Sequence, residues 1–584
     1  MCLPMNYLWT LPPEELNPVA KDLHHALKIK PIFCRMLSQL GIRNYSEARA
    51  FFLPELDKLH DPFLLKGMDI AVRRIEQAID KGETIMIYGD YDVDGTTAVS
   101  LLYSFLEPHY PNLIPYIPDR YREGYGISRQ GIEYALDEGV SLAIALDCGI
   151  KAVEQIAFAR EKELDFIVCD HHTPGPELPA ALAILNPKQS DCPYPFKELS
   201  GCGVAFKLVQ ALCAQWQRPT KEWEELLDLL AISIGADIVS LQGENRLLAY
   251  HGLKQINQSS RYALKALAEA AGKSPGQLTI NDVVFLYGPR INAAGRLEHG
   301  MKAVELLTRK DPSLVEHLCA ELNQRNTERK AIERQIAEEA EQQIEEVLPD
   351  DAYSTVVFAP HWHKGVIGIV ASRLIEKYYR PTVVLTEKDG WLTGSARSVE
   401  GFDLYAALDQ CRNQLTQFGG HKYAAGMTLK KEQFEAFKAA FEQAVKNMIR
   451  PDQRVPRLNI AGILEVDSIT PRFYHTLQRF APFGPYNPQP IFVLHRLADA
   501  GSYAVGEDRK HLKISLCDSR GRRVEGIGFN LQDKWQALED KNDLSIAFHL
   551  ESNVYQGQWR LQLRVLDLKP TQEALGSSPV LTAN

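Results

Sequence analysis

Glu83–Ser100 reads ETIMIYGDYDVDGTTAVS, with Asp90, Asp92 and Asp94 at alternate positions ahead of Gly95. A D-x-D-x-D-G run opens a calcium-binding EF-hand loop, but that loop needs a bidentate Glu at its twelfth position and a helix before it. Counted from Asp90, the twelfth position is Leu101. The preceding residues, Thr84 to Tyr88, form a short β-branched and apolar run behind the turn pair Lys81-Gly82, which reads as a buried strand. Beyond Gly95, Ala98, Leu101, Leu102 and Phe105 share one helical face. The carboxylates therefore occupy a turn between strand and helix, where open α/β sheets place their ligand sites.

Outward from this turn, short apolar runs alternate with amphipathic segments. Thr84–Tyr88, Leu113–Ile117, Ser141–Leu146, Asp165–Cys169 and Ala181–Leu185 are predicted strands of a parallel α/β sheet. Residues 203–270 read as mostly helical, and Ser313–Leu348, free of Gly and internal Pro, as one helix of roughly 50 Å. A second α/β pattern covers Ala352 to about Asn447. After the RPDQRVP stretch, alternation such as Trp559, Leu561, Leu563 and Val565 against Arg560, Gln562 and Arg564 predicts a small β-barrel. The expected divisions are an N-terminal segment 1–60, a catalytic domain 61–310, a connecting helix 311–350, a second α/β domain 351–450, a barrel 451–570 and a frayed tail 571–584.

At 584 residues the chain exceeds a single core, and 45% hydrophobic with 24% charged residues is ordinary globular composition. No apolar run approaches the ~18 residues of a membrane span, and no signal-peptide pattern opens the chain. Ten scattered cysteines without a C-x-x-C pair point to reduced thiols in a cytoplasm. A net charge of −10 argues against a simple DNA-coating protein and leaves room for a local basic groove.

Further acidic and imidazole groups follow other predicted strands. Asp147 ends SLAIALDCG, Asp170, His171 and His172 end LDFIVCDHH, and Asp237 ends LAISIGADIVSL, whose first part also reads as helix. Taken singly, an Asp after a strand is usually a helix N-cap and a lone His a hydrogen-bonded bystander. Taken jointly, they are a hard O/N donor set suited to Mn²⁺ or Mg²⁺ rather than structural zinc. Two such ions ~3.5–4 Å apart serve phosphoester hydrolysis.

The segments YGDYDVDGTTA, LDCG, DHH and GADIVSL resemble the four motifs of the DHH phosphoesterase superfamily. GPRINAAGRL (288–297), WHKGVIGIVASRL (362–374), GSARSVEGFDL (394–404) and GGHKYAAG (419–426) are similar to the RecJ family of single-stranded-DNA exonucleases in particular, and the likeness runs through essentially the whole chain. The resemblance implies a DHH catalytic domain, a DHH-associated α/β domain and an OB fold. It makes Asp92, Asp94, Asp147, His171 and Asp237 ligands of two Mn²⁺ or Mg²⁺ ions, with Asp94 and Asp147 placed to bridge or sit between them. His172 would face the scissile phosphate, and Asp90 is an additional ligand. One departure stands out: superfamily members carry a His four residues before the first ligand Asp, and here that position is Tyr88. The first metal is then expected to be held more weakly or to draw on Asp90.

For substrate binding, Ser395 and Arg397 suit a terminal phosphate, the guanidinium fork matching its oxygens. Gly419 and Gly420 allow close main-chain approach and His421 can donate, although a tight loop explains a Gly-Gly pair equally well. Arg290 and Arg296 divide evenly between substrate contact and inter-domain salt bridge. SGCGVAFKL (200–208) suits close packing better than phosphate binding. Arg120 is a weaker DNA-contact candidate. So are Phe483, Tyr486, Lys510 and Lys513, which with Phe492 and Phe529 interleave aromatics and cations as OB folds do, although such aromatics are more often core.

The resemblance thus implies a 5′→3′ exonuclease that releases 5′-mononucleotides from single-stranded DNA, acting in recombination and repair. A helicase and a single-strand-binding protein are its expected partners. The rival readings are a DHH phosphodiesterase for short oligonucleotides or cyclic dinucleotides, and a catalytically inactive replication scaffold.

Overall fold

A computed structural model describes all residues except 1–5, 275, 298–299, 350, 556–557 and 577–584. Two compact units emerge: Ala50–Lys330 together with Ala481–Pro488, and the chain up to Arg49 together with Ala331–Phe480 and everything described from Gln489 onward. The division falls inside a single helix, Pro312–Val347, of 36 residues. At 1.5 Å per residue it runs about 54 Å, as its uninterrupted Glu/Gln/Ala/Arg sequence predicts.

The first unit holds a five-stranded parallel sheet. Thr84–Gly89 lies between Leu113–Tyr116 and Val140–Leu146, and Asp165–Cys169 and Ala183–Leu185 extend the sheet beyond the latter. The strands match the predicted set to within two residues at their ends. Numbered in chain order they stand 2-1-3-4-5. The direction of the crossovers reverses between the first and third strands, and the carboxyl ends of those two form the crevice where such sheets bind ligands. They are followed directly by Asp90 and Asp147. Helices Val93–Leu106, Gly201–Gln215 and Leu227–Ala236 are almost wholly buried, because they are apolar on all sides rather than along a stripe. They make up the bulk of the core against the sheet.

The second unit contains two sheets. One runs Gln417–Gly420, Ala424–Lys430, Trp391–Arg397, Thr382–Lys388, Thr355–Phe358, antiparallel except for its last pair. The other has eight strands, and its Ile491–Asp499 and His511–Cys517 strands also pair, which curls it into a barrel.

Two sequence-based divisions need correction. The N-terminal residues are no separate segment, since Leu8–Thr10 adds a parallel strand beside Arg457–Ile463. Trp9 anchors it, buried, with its indole N–H donating to the buried Asp567 carboxylate at 2.8 Å. Residues 571–576 of the expected tail form a helix that buries Ala574. The rest of the tail lies outside the described residues.

Trp9→Ala removes a buried aromatic and the donor to Asp567 Oδ2, leaving that buried carboxylate to its Lys534 partner at 2.6 Å. A loss of about 3–5 kcal/mol is expected. Denaturant unfolding of the full chain, followed by Trp fluorescence and circular dichroism, should show an earlier transition.

Candidate metal centre

Each candidate ligand is delivered by an element whose end is fixed. Asp92 caps the helix Val93–Leu106 and accepts from the Gly95 amide at 3.1 Å. Asp94, buried one residue into that helix, is the most tightly held carboxylate. Its Oδ2 accepts from Gly201 N at 2.6 Å, and its Oδ1 accepts from Cys202 N at 2.8 Å and Ser233 Oγ at 2.6 Å. The helix N-terminus in SGCGVAFKL therefore binds an anion after all, but the anion is Asp94 rather than a phosphate. A Cβ at Gly201 would fall 2.4 Å from Asp147 Oδ1, so only glycine fits there. Asp147 itself has φ 59°, an uncommon backbone state of the kind found at functional sites.

At Asp237 the helical alternative left open by the sequence is the one realised: the residue is the C-cap of the helix Leu227–Ala236. Aligned backbone carbonyls disfavour a carboxylate at that end. The next residue, Ile238, is β-branched with φ 58° and is exposed. Asn245, buried, donates to Ser240 O at 3.0 Å and to Glu198 O at 2.5 Å. It thereby ties the segment after Asp237 to the segment that orients His171.

His171 Nδ1 faces Leu199 O at 3.1 Å and so carries the proton, leaving a lone pair on Nε2. That lone pair is aimed at carboxylate oxygens: Asp147 Oδ1 at 3.2 Å, Asp237 Oδ2 at 3.6 Å and Asp94 Oδ2 at 3.8 Å. His171 Nε2 and Asp147 Oδ1 are both buried without a hydrogen-bond partner. A lone pair facing carboxylate oxygens in a dry pocket is repulsive unless a proton or a metal cation stands between them. The donor atoms form three overlapping trios, Asp94–His171–Asp237, Asp90–Asp92–Asp147 and Asp147–His171–His172, each with its atoms within 4.8 Å of one another, and the first two share no residue. Oxygen-rich donors with one imidazole fit Mn²⁺ or Mg²⁺.

Tyr88, which replaces the superfamily His, is no ligand. Buried, it donates to Gly126 O at 2.9 Å and accepts from Ser128 N at 3.1 Å, clasping the 117–128 loop. Asp90 belongs to the second trio instead.

Charge follows geometry. Burial, then Asp94 and Asp92, push the Asp237 carboxyl up to about 9. Burial and neighbouring carboxylates likewise raise Asp90, Asp92 and Asp147. Burial lowers His171 despite Asp94. Asp170 is the exception. Burial would raise it, but the bond and charge of His172, with the His172 and Ile150 amides, outweigh burial and hold it at about 2. Burial opposes protonation of His172, and the 2.7 Å bond to Asp170 reverses that and raises it. Its other ring nitrogen, Nε2, meets the Tyr125 hydroxyl at 3.2 Å.

The remaining nominated residues sort clearly. Ser395 and Arg397 meet at the N-terminus of the helix Ile367–Tyr378: Arg397 Nη1 donates to Ser395 Oγ at 2.9 Å, and a Cβ at Gly368 would crowd both side chains. Ala424 and Ala425 pair with Arg397 and Gly420 respectively, so the exposed His421 sits on the same sheet edge. Gly420, φ 149°, is required by the turn, since a Cβ would lie 2.3 Å from Ala424 O. Arg290 is corrected to an internal anchor, buried and bonded to Asn323 Oδ1 at 3.1 Å and Leu286 O at 2.8 Å. The Arg296 side chain lies outside the described residues. Arg120 stacks over Tyr91, 4.8 Å from the ring centre, and Gly295 of the GPRINAAGRL helix packs on the Tyr91 carbonyl. Lys513 lies on a barrel strand opposite Tyr503, and Lys510 is exposed just before it. Phe492 is core. Phe483 and Tyr486 are not on the barrel, because their loop, residues 481–488, belongs to the unit that carries the metal centre. Tyr125, Asn245 and Lys188, whose charge acts on Asp237 and His171, are site residues the sequence did not disclose.

Three family models match the chain: the DHH family N-terminal domain over residues 84–234, the DHHA1 domain over 351–447 and the RecJ OB domain over 460–567. The single-stranded-DNA-specific exonuclease RecJ of Bacillus subtilis is 37% identical over 94% of this chain and 69% of its own length. That of Haemophilus influenzae is 33% identical over 93% and 97%. The crystal structure of Thermus thermophilus RecJ with Mn²⁺ is similar at a TM-score of 0.81 and 30% identity, covering 96% of this chain and 79% of that one. The corresponding Mg²⁺ complex gives 0.75 and 28%, over 96% and 78%.

Without metal, the raised carboxyls stabilise the fold fully below the unfolded Asp value of ~3.9 and lose that contribution as pH rises toward their folded values, about 9 for Asp237. Metal-free protein should therefore melt progressively lower from pH 5 to 9, with the gain on adding Mn²⁺ growing over the same range. Calorimetric titration of Mn²⁺ at pH 7 in buffers of different ionisation enthalpy should show proton release.

Proposed function

The chain belongs to the RecJ family of single-stranded-DNA-specific exonucleases, and on that premise we propose that it hydrolyses single-stranded DNA from the 5′ end to 5′-mononucleotides at the carboxylate–histidine centre, in recombination and repair. The observation that carries this reading is the pair of orphaned buried atoms, His171 Nε2 and Asp147 Oδ1, turned toward each other among four further carboxylates. Divalent ions held by the two trios that share no residue would bring the pKa of a water into the neutral range and offset charge on the attacking and leaving oxygens.

The chain's own residues do the rest. Asp94 is fixed by three donors, so both its oxygens keep one orientation. Leu199 O sets the tautomer that turns the His171 lone pair inward. His172, whose hold on a proton the Asp170 bond strengthens, would direct an Nε2–H toward a non-bridging phosphoryl oxygen, the direction now taken by the Tyr125 hydroxyl. Ser395 and Arg397, on a helix N-terminus, supply the donors a terminal 5′-phosphate requires. The OB region speaks for strands longer than a dinucleotide. A helicase and a single-strand-binding protein that feed the strand, in the cytoplasm, belong to the same reading.

Asp147→Ala should abolish hydrolysis while leaving circular dichroism unchanged; near-normal activity would remove Asp147 from the ligand set. A strand labelled at its 5′ end should release labelled mononucleotide at once, and the same strand labelled at its 3′ end should shorten as a ladder. The opposite pattern would overturn the polarity. A rate on a dinucleotide matching that on a long strand would favour the short-substrate reading. Arg397→Ala should cost roughly 10- to 100-fold in KM on 5′-phosphorylated strands and much less on 5′-hydroxyl ones, the scale of one charged hydrogen bond.

A further inference from the structure

The loop Ala481–Pro488, APFGPYNP, is built to hold one aromatic ring out. Gly484 and Asn487 pair with each other, and buried Asn487 donates its side-chain N–H to Pro482 O at 2.8 Å. Tyr486 stands between them with φ 61° and 72% of its surface exposed. Aromatic residues rarely take a left-handed backbone, and a large exposed ring gains nothing for stability, so the strain marks a functional constraint.

The loop is seated on the segment that follows metal ligand Asp237. Leu241 N donates to Pro485 O at 2.9 Å, Gln242 Nε2 donates to Tyr486 O at 3.3 Å, and a Cβ at Gly484 would fall 2.5 Å from the buried Leu241 side chain. Three residues, at most ~14 Å of chain in four steps, lie between Asp237 and Leu241. The first of them, Ile238, is the second anomaly: 70% exposed, β-branched, with φ 58°. Two strained, exposed apolar side chains are thus presented, one next to Asp237 and one on the loop seated on the segment that follows it.

We infer that Tyr486, with Ile238, forms a platform on which a nucleobase of the bound single strand stacks near the metal centre. This rests on the exonuclease reading above. The occupant follows from chemistry. A strand whose phosphate reaches Asp237 carries its bases within this radius, every base has a π-face, and an unpaired strand leaves those faces open. The platform reads no sequence, since neither side chain offers a hydrogen bond to a base edge apart from the Tyr486 hydroxyl. It favours unpaired over duplex DNA, because in a duplex the faces are already stacked.

The test uses the full chain with Mn²⁺ and a cleavage-resistant, phosphorothioate-linked oligothymidylate. Tyr486→Asn removes the ring while keeping a residue that tolerates the left-handed backbone. Kd should rise roughly 5- to 100-fold, the range for one stacked base. Tyr486→Phe should restore wild-type binding. A single abasic position scanned along the oligomer should weaken wild-type binding at one register only, and Tyr486→Asn should be insensitive there. Unchanged affinity in Tyr486→Asn, or losses that add when variant and abasic site are combined, would overturn the platform. Wild-type protein that neither binds nor cleaves single strands would instead sink the exonuclease reading on which the platform rests.

Discussion

Five aspartates and an inward-turned imidazole lone pair share a few ångströms of buried space, and like-charge repulsion at that density would scatter them if the scaffold allowed it. The architecture around them is a set of restraints against that dispersal. The first and third strands end side by side at the switch point and discharge Asp90 and Asp147 into one crevice. A second helix turns its amino terminus on Asp94, so the backbone itself supplies partial positive charge where no cationic side chain is bonded. A third helix ends in Asp237, with its backbone dipole adverse. Such a centre is held in a high-energy arrangement whose relief is a divalent ion, which makes the apoprotein's strain and the metal's affinity two faces of one quantity.

The two histidines show how environment separates neighbours of identical chemistry. His171 is desolvated and bonded to a neutral carbonyl, which favours the neutral form a metal ligand needs. His172, next to it, is paired with a fully hydrogen-bonded carboxylate, which raises its affinity for a proton. Asp170 is spent on this division: with its oxygens accepting from His171 N, His172 N, His172 Nδ1 and Ile150 N, it is an organiser rather than a ligand.

Much of the catalytic sheet was legible because its strands are uninterrupted apolar runs, the form that burial on both faces demands. The ligands were legible because they cluster at the ends of those runs. Where one period could serve two structures, the reading stayed open: LAISIG is apolar enough for a buried strand or a buried helix, and it is a helix. Single residues that act through distant partners were not legible. Asn245 matters only because Ser240 and Glu198 converge on it, and Arg290 only because Asn323 lies within reach. The aromatics at 483 and 486 were assigned to the barrel from sequence proximity, which their eight-residue excursion into the other unit defeats. Nor does anything local in Tyr7–Leu11 announce a strand whose partner starts at Arg457.

That last pairing has a consequence for biosynthesis. The Trp9–Asp567 bond closes a loop spanning 558 residues, and the unit it completes is discontinuous, with the metal-binding unit emerging from the ribosome in between. At ~5–20 residues per second the first strand waits on the order of a minute for its partner. Meanwhile the metal-binding unit has nearly all of its own sequence in hand. The nascent chain therefore carries an apolar, unpaired edge throughout its synthesis, a natural target for trigger-type chaperones and for misassembly between chains on one messenger.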